Sequence, residues 1–165
     1  MTKSPANMRP QVMNASNDKP PADAALDTNV AVRYLTADDP EQTAQAIQLI
    51  GESPPGSLYL DHLVIIEVIW VLRGRYKIPR QEVATAIQSL MEKPSVRISA
   101  HSRNAMERYS QTNLDFVDCW LAARACETGQ FIASFDRDYR KFKDVIALPP
   151  LPLLERLKGR RLRGV

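Results

Sequence analysis

The chain holds two cysteines, two histidines and six glycines in 165 residues, and each scarcity removes a class of protein. Cys119 and Cys126 stand seven apart on one expected helix, roughly 10 Å by helical rise, which is beyond disulfide reach. They read as free, buried thiols suited to a reducing cytoplasm. No CxxC pair occurs and His62 and His101 are isolated, so a zinc site has no ligand set to draw on. Neither a P-loop nor a GxGxxG is present, which leaves nucleotide-cofactor chemistry without support. The apolar run from Leu63 to Leu72 is too short to span a bilayer and is interrupted by Glu67. Residues 1–23 are polar and rich in Pro, Asn and Lys, with no apolar stretch of a secretory signal. The expectation is a cytoplasmic protein without a membrane partner. No internal repeat is visible.

What is present points to one globular domain. An apolar share of 44% is enough for a core in a chain of this length. The net charge is +3, unevenly spread: residues 137–165 carry nine Lys/Arg against three Asp/Glu, and the remainder thirteen against sixteen. An acidic body with a basic C-terminal end suits a polyanion held near carboxylates; a solvated basic tail is the alternative. Three segments are expected: a disordered leader over 1–23, a folded domain over 24–148 and a basic tail over 149–165.

Within the domain, short apolar strands alternate with amphipathic helices. Strands are expected at 24–27, 57–60, 96–98, 131–134 and 145–147. Helices are expected at 29–36, 40–50, 62–73, 80–92, 102–111 and from about 116 to 128, with a short one at 138–142. Asp39-Pro40-Glu41 is a helix start, and Gly129 a helix stop. After an extended 149–152, residues 153–163 form a basic amphipathic helix. This alternation gives an α/β fold, three layers around a central, mostly parallel sheet.

Four acidic residues fall where packing alone does not call for them. The residues three and four positions from Glu67 are Leu63, Val64, Trp70 and Val71, all apolar, which places its carboxylate on the buried stripe of a helix. An unpaired carboxylate buried there needs a partner or a cation. Asp27 and Asp136 each close a strand, where ligands of open parallel sheets bind; capping the next helix and an Asx turn are their structural alternatives. Asp118 lies on the face of Leu121, Ala122 and Ala125, whereas Asp115 is accounted for by the helix dipole. Like charges about 4 Å apart repel by roughly 4 kcal/mol at an effective dielectric near 20. Four converging carboxylates therefore call for a cation, and all-oxygen ligation suits Mg²⁺ or Mn²⁺.

Leu26-Asp27-Thr28-Asn29, the mid-helix Glu67, the run from Asp115 to Ala125 and Ser134-Phe135-Asp136-Arg137-Asp138-Tyr139 together resemble the PIN-domain nucleases, and within them the VapC-type toxins of prokaryotic toxin–antitoxin pairs. The resemblance covers residues 24 to about 148. It implies a Mg²⁺- or Mn²⁺-dependent endoribonuclease acting on RNA, silenced by a small antitoxin. It also implies an acidic quartet of Asp27, Glu67, Asp118 and Asp136, with Asp27 and Asp118 as the first metal ligands. Asp115 and Asp138 are auxiliary acids, and Asn29 and Ser134 match small polar positions beside the quartet.

Two basic clusters are candidates for the RNA backbone: Arg73, Arg75 and Lys77 after the Glu67 helix, and Arg137, Arg140, Lys141 and Lys143 after Asp136. Tyr34, Tyr76 and Tyr139 are candidate stacking groups. By the same resemblance, apolar surface on the helices at 40–50 and 80–92 would make a homodimer face or an antitoxin groove. Two other functions keep the fold: a catalytically inactive PIN-like binding module, and a PIN nuclease of RNA processing without an antitoxin. A phosphoaspartate enzyme wants Asp-x-Asp after the first strand; Asp27-Thr28-Asn29 does not provide it.

Overall fold

The computed structural model describes residues 22–161. Almost all of the expected leader and the last four residues of the basic tail lie outside the described residues. In chain order the elements are β1 (Ala24–Ala25), α1 (Thr28–Thr36), α2 (Pro40–Glu52), β2 (Leu58–Tyr59), α3 (His62–Gly74), α4 (Arg80–Met91), β3 (Val96–Arg97), α5 (Ala100–Gln111), α6 (Phe116–Thr128), β4 (Ile132–Ala133), a 3₁₀ turn (Asp138–Lys141), β5 (Ala147–Leu148) and α7 (Pro150–Arg161).

Local chemistry sets the helix ends. The Asp39 side chain accepts from the Gln42 N–H with Pro40 just inside α2, Asp61 caps α3 on the Leu63 N–H, and Ser99 caps α5 on the Ser102 N–H. Each cap satisfies a backbone donor that the first turn leaves without a partner. Gly129 ends α6 at φ 66°, a left-handed conformation that glycine adopts without a Cβ clash.

All strand pairings are parallel. In one sheet Ala24 pairs with Leu58 and Leu58 with Val96, giving the order β1-β2-β3; in the other Ile132 pairs with Ala147. No strand pairing joins the two sheets among the described residues. The single central sheet expected from sequence is thus two parallel pieces. Strands with two paired residues offer few ladder bonds, so side-chain packing carries the connection. One apolar cluster does so: Leu26, Leu58, Ile65, Val68, Leu72, Ile87, Leu90, Met106 and Phe116 continue into Ile132, Tyr139 and Phe142 beside the second sheet.

Three expectations need correction. The apolar face of α4 (Val83, Ile87, Leu90, Met91) is buried in the core and offers no partner surface; on α2, Ile47 and Leu49 are exposed. Cys119 is buried but Cys126 is exposed. Residues 150–152 are helical, because Pro150 starts α7, a position where proline needs no N–H partner. The described part of the tail also makes contact with the domain. Leu153 is buried and the Arg156 guanidinium lies 4.8 Å over the Phe131 ring. No helix among the described residues is long and apolar enough to cross a membrane.

Candidate active site

Helix α3 turns Ile65, Val68 and Leu72 to the core. At 100° per residue Glu67 falls on the opposite side, where it is exposed between Leu63 (65% exposed) and Trp70 (74%). The expected burial of Glu67 is therefore overturned. The helix is apolar around most of its circumference, and Glu67 belongs to the outward apolar face rather than the inward one.

Its carboxylate nevertheless has a defined partner. Thr28, buried in the first turn of α1, donates from Oγ1 to Glu67 Oε2 at 2.7 Å. Asp27, one residue earlier, has extended backbone and accepts from the Asn29 N–H at 3.2 Å. Its capping role is realised, with one carboxylate oxygen so engaged. Asp27, Thr28 and Glu67 form one half of the candidate site, at the end of β1.

The other half lies at α6 and the end of β4. Asp118, in the first turn of α6, accepts at Oδ1 from the Tyr139 hydroxyl at 2.9 Å. Tyr139 is 4% exposed, and its phenol is pushed well above the ordinary range by burial, then by its bond to Asp118 and the nearby charges of Asp118 and Asp136. Asp136 Oδ1 accepts from the Asp138 N–H at 2.8 Å, and the Asp136 N–H donates to Ser134 Oγ at 2.9 Å. The Asx turn is thus real, and it fixes Asp136 beside Tyr139.

The two halves belong to helices that touch: His62 of α3 stacks on Trp120 of α6 with ring centroids 4.5 Å apart. The turn into α6 is held by Arg80, the first residue of α4. Its Nε donates to the Thr112 carbonyl at 3.1 Å, and its Nη2 to the carbonyls of Tyr109, at 2.9 Å, and Leu114. Its guanidinium lies 3.5 Å over the Tyr109 ring. One planar fork so fixes the end of α5 and the approach to Asp115 and Asp118.

The remaining candidates scatter. Asp115 starts α6 without a side-chain cap bond and lines a cavity of about 660 Å³ with Trp70, Arg73, Asn113 and Val117. Asp138 pairs with Lys141 at 3.2 Å, which commits its carboxylate. Asn29 lines a separate hollow with Arg33 and Gln42. Arg75 sits 5.9 Å over the Tyr76 ring. Tyr139 is buried and Tyr76 donates to Asp38, so neither stands as an open stacking ring. Arg137 and Arg140 line a 440 Å³ cleft with Ser134, Phe135, Asp136, Tyr139 and Ile146. Sequence reasoning passed over Thr28, Tyr139 as a carboxylate partner, Arg80 and Phe135. For Arg80 a signal existed: a cation at a helix N-terminus opposes the dipole and needs carbonyl partners elsewhere.

Each acid of the expected quartet accepts from a neutral donor, a hydroxyl or a backbone N–H. The ion pairs fall elsewhere, as at Arg33–Asp38 and Arg108–Asp144. Four carboxylates with no Lys or Arg counter-charge among the described residues are the donor chemistry of a hard dication. Among the described residues, however, no three His, Cys, Asp or Glu side chains stand close enough to hold one ion. The acids are arranged in two halves and not as one cluster.

A family model described as the PIN domain matches residues 24–145. A VapC ribonuclease of Aquifex aeolicus (strain VF5) is 28% identical over 130 residues, spanning 73% of this chain and 93% of the relative. Among solved structures, VapC20 of Mycobacterium tuberculosis, a toxin that cleaves the sarcin-ricin loop, is 20% identical with a TM-score of 0.36, covering 73% of this chain and 95% of that one. VapBC2 of Rickettsia felis, bound to a DNA fragment from its promoter, is 13% identical with a TM-score of 0.30, covering 76% and 97%.

Proposed function

The chain belongs to the PIN-domain family, whose model spans most of its length, and from that premise we propose that it is a metal-dependent endoribonuclease of the VapC toxin type. The observation that carries this reading is the pair of half-sites. Glu67 and Asp118 sit on touching helices, each with a strand-end aspartate in its half, and none of the four has a Lys or Arg partner among the described residues, in a chain 28% identical to a protein named as a VapC ribonuclease.

Asp27, from the first half, and Asp118, from the second, would hold Mg²⁺ or Mn²⁺, with Glu67 and Asp136 completing the site once the ion draws the two halves closer than they stand in the described residues. When bound, the dication supplies Lewis-acid stabilisation of charge on the scissile phosphodiester. The chain's own residues do the rest. Thr28 and Tyr139 each occupy one oxygen of a helix-borne acid and so fix which oxygen faces the substrate. The backbone N–H groups of Asn29 and Asp138 do the same for the strand-end aspartates. Water is the attacking group, so the products carry a 5′-phosphate and a 3′-hydroxyl. Arg137 and Arg140, in the cleft beside Asp136, are better placed for the RNA backbone than Arg73 and Arg75.

The outward face of α3, with Leu63 and Trp70, together with Val117 and Leu121 of α6, leaves large apolar side chains in solvent. Such surface supports a protein partner, a cognate antitoxin or a second copy, and the cytoplasm is its compartment. The test is RNA cleavage with Mg²⁺ or Mn²⁺. Wild type cuts, EDTA stops it, and Asp118→Ala is inactive with its circular dichroism spectrum retained. A 2′,3′-cyclic phosphate end, or full activity in EDTA, would reject the proposal.

A further inference from the structure

Phe135 has no structural employment. It stands between Ser134 and Asp136 with 84% of its surface in solvent, the most exposed of the large apolar side chains among the described residues. It lines the same 440 Å³ cleft as Asp136, Tyr139, Arg137 and Arg140, and Tyr139 reaches from that cleft to Asp118. Neither Arg137 nor Arg140 is in an ion pair among the described residues, whereas the neighbouring Lys141 is tied to Asp138 and Asn113. An open ring that shares its cleft with two guanidinium groups outside any ion pair among the described residues, next in sequence to a candidate catalytic acid, is a defined combination.

We propose that this cleft seats an unpaired RNA base next to the scissile phosphate, with Phe135 as its stacking platform and Arg137 and Arg140 on the flanking phosphates. The inference rests on the ribonuclease reading and names a subsite within it. Charge decides the occupant. The cleft also holds Val145, Ile146 and Pro149, but two guanidinium groups against one lining carboxylate, Asp136, beside an open ring favour a polyanion that also offers π-faces over a protein partner. The base must be unpaired, because in a duplex both of its faces are already stacked. Arg137 and Arg140 recognise phosphate irrespective of sequence, and stacking on phenylalanine tolerates every base. The subsite therefore selects single-stranded over double-stranded RNA and does not by itself select a base.

The test is the steady-state cleavage of a single-stranded oligoribonucleotide with Mn²⁺ by wild type, Phe135→Ala, Phe135→Trp and the double variant Arg137→Ala/Arg140→Ala, with thermal melting to confirm that each folds. Phe135→Ala is expected to raise KM roughly 10- to 100-fold with little change in kcat. Phe135→Trp keeps the wild-type KM, and its added indole emission is quenched by substrate. The double arginine variant raises KM and lowers its salt dependence. A wild-type enzyme that cuts single-stranded RNA while Phe135→Ala keeps the same KM would overturn the subsite and leave the ribonuclease reading standing. So would a KM unchanged by Phe135→Ala together with altered self-association in sedimentation, which would assign the ring to a protein contact. A wild-type chain that cuts no RNA with Mn²⁺ removes both.

Discussion

The two halves of the candidate site follow one plan on different ground. In each, a strand-end aspartate is fixed by the N–H two residues ahead, and an acid from a neighbouring helix is fixed by a buried hydroxyl. The first half, Asp27 with Glu67, opens onto the apolar outer face of α3, where Leu63 and Trp70 are exposed. The second, Asp118 with Asp136, opens onto a cleft with Arg137, Arg140 and Phe135. Equal acid chemistry with unequal surroundings points to a division of labour under the proposed reading: both halves would supply ligand oxygens, the second borders groups suited to a nucleic acid, and the first borders surface suited to a protein.

The largest expected effect breaks the second half at its support. Arg80→Ala leaves the carbonyls of Tyr109, Thr112 and Leu114 without their shared donor and is expected to cost about 3 kcal/mol of stability in urea unfolding. Arg80→Lys recovers only a minor part, since an ammonium cannot reproduce the planar fork. Wild-type stability in Arg80→Ala would show that the turn into α6 holds itself.

Removing the two hydroxyls sharpens the comparison. Tyr139→Phe and Thr28→Ala each delete a donor to one acid, and each is expected to weaken Mn²⁺ binding roughly 10- to 100-fold by calorimetry. If only Tyr139→Phe matters, the dication belongs to the second half alone.

The smallest effect is on pH dependence. Asp144, just before β5, pairs with Arg108 of α5, and this pairing holds its carboxyl down at about 2. An unfolded aspartate titrates near about 3.9, so the contribution is complete above roughly pH 4 and is lost as pH falls through 2. The pair is partly solvated, which limits it to roughly 1 kcal/mol. Asp144→Asn should flatten the stability profile across that acid range while leaving neutral pH little changed. An unaltered acid limb would remove this tie between α5 and the second sheet.

Much of the fold was legible because local chemistry encodes it. Asp39-Pro40 and Gly129 announced their helix ends, and the apolar period of 80–92 announced a packed face. Glu67 was misplaced for a physical reason. Apolar neighbours at three and four positions say that a stripe is apolar, not whether it faces a core or a partner, and α3 carries stripes of both kinds. The division into two sheets could not be read, since paired segments of two residues have no period of their own. Nor could the partners of the acids: Thr28 is 39 positions from Glu67 and Tyr139 is 21 from Asp118, and no pattern links residues so far apart. Asp27, Glu67, Asp118 and Asp136 were visible as acids beside apolar segments, but their grouping into halves was not.

The most direct test is a Mn²⁺ binding isotherm for wild type, Asp27→Asn and Asp118→Asn, one substitution in each half. If the halves serve one centre, wild type binds Mn²⁺ and either substitution removes the same binding event while the protein stays folded. A wild-type isotherm retained in either variant, or no Mn²⁺ uptake by the wild type at all, would contradict it.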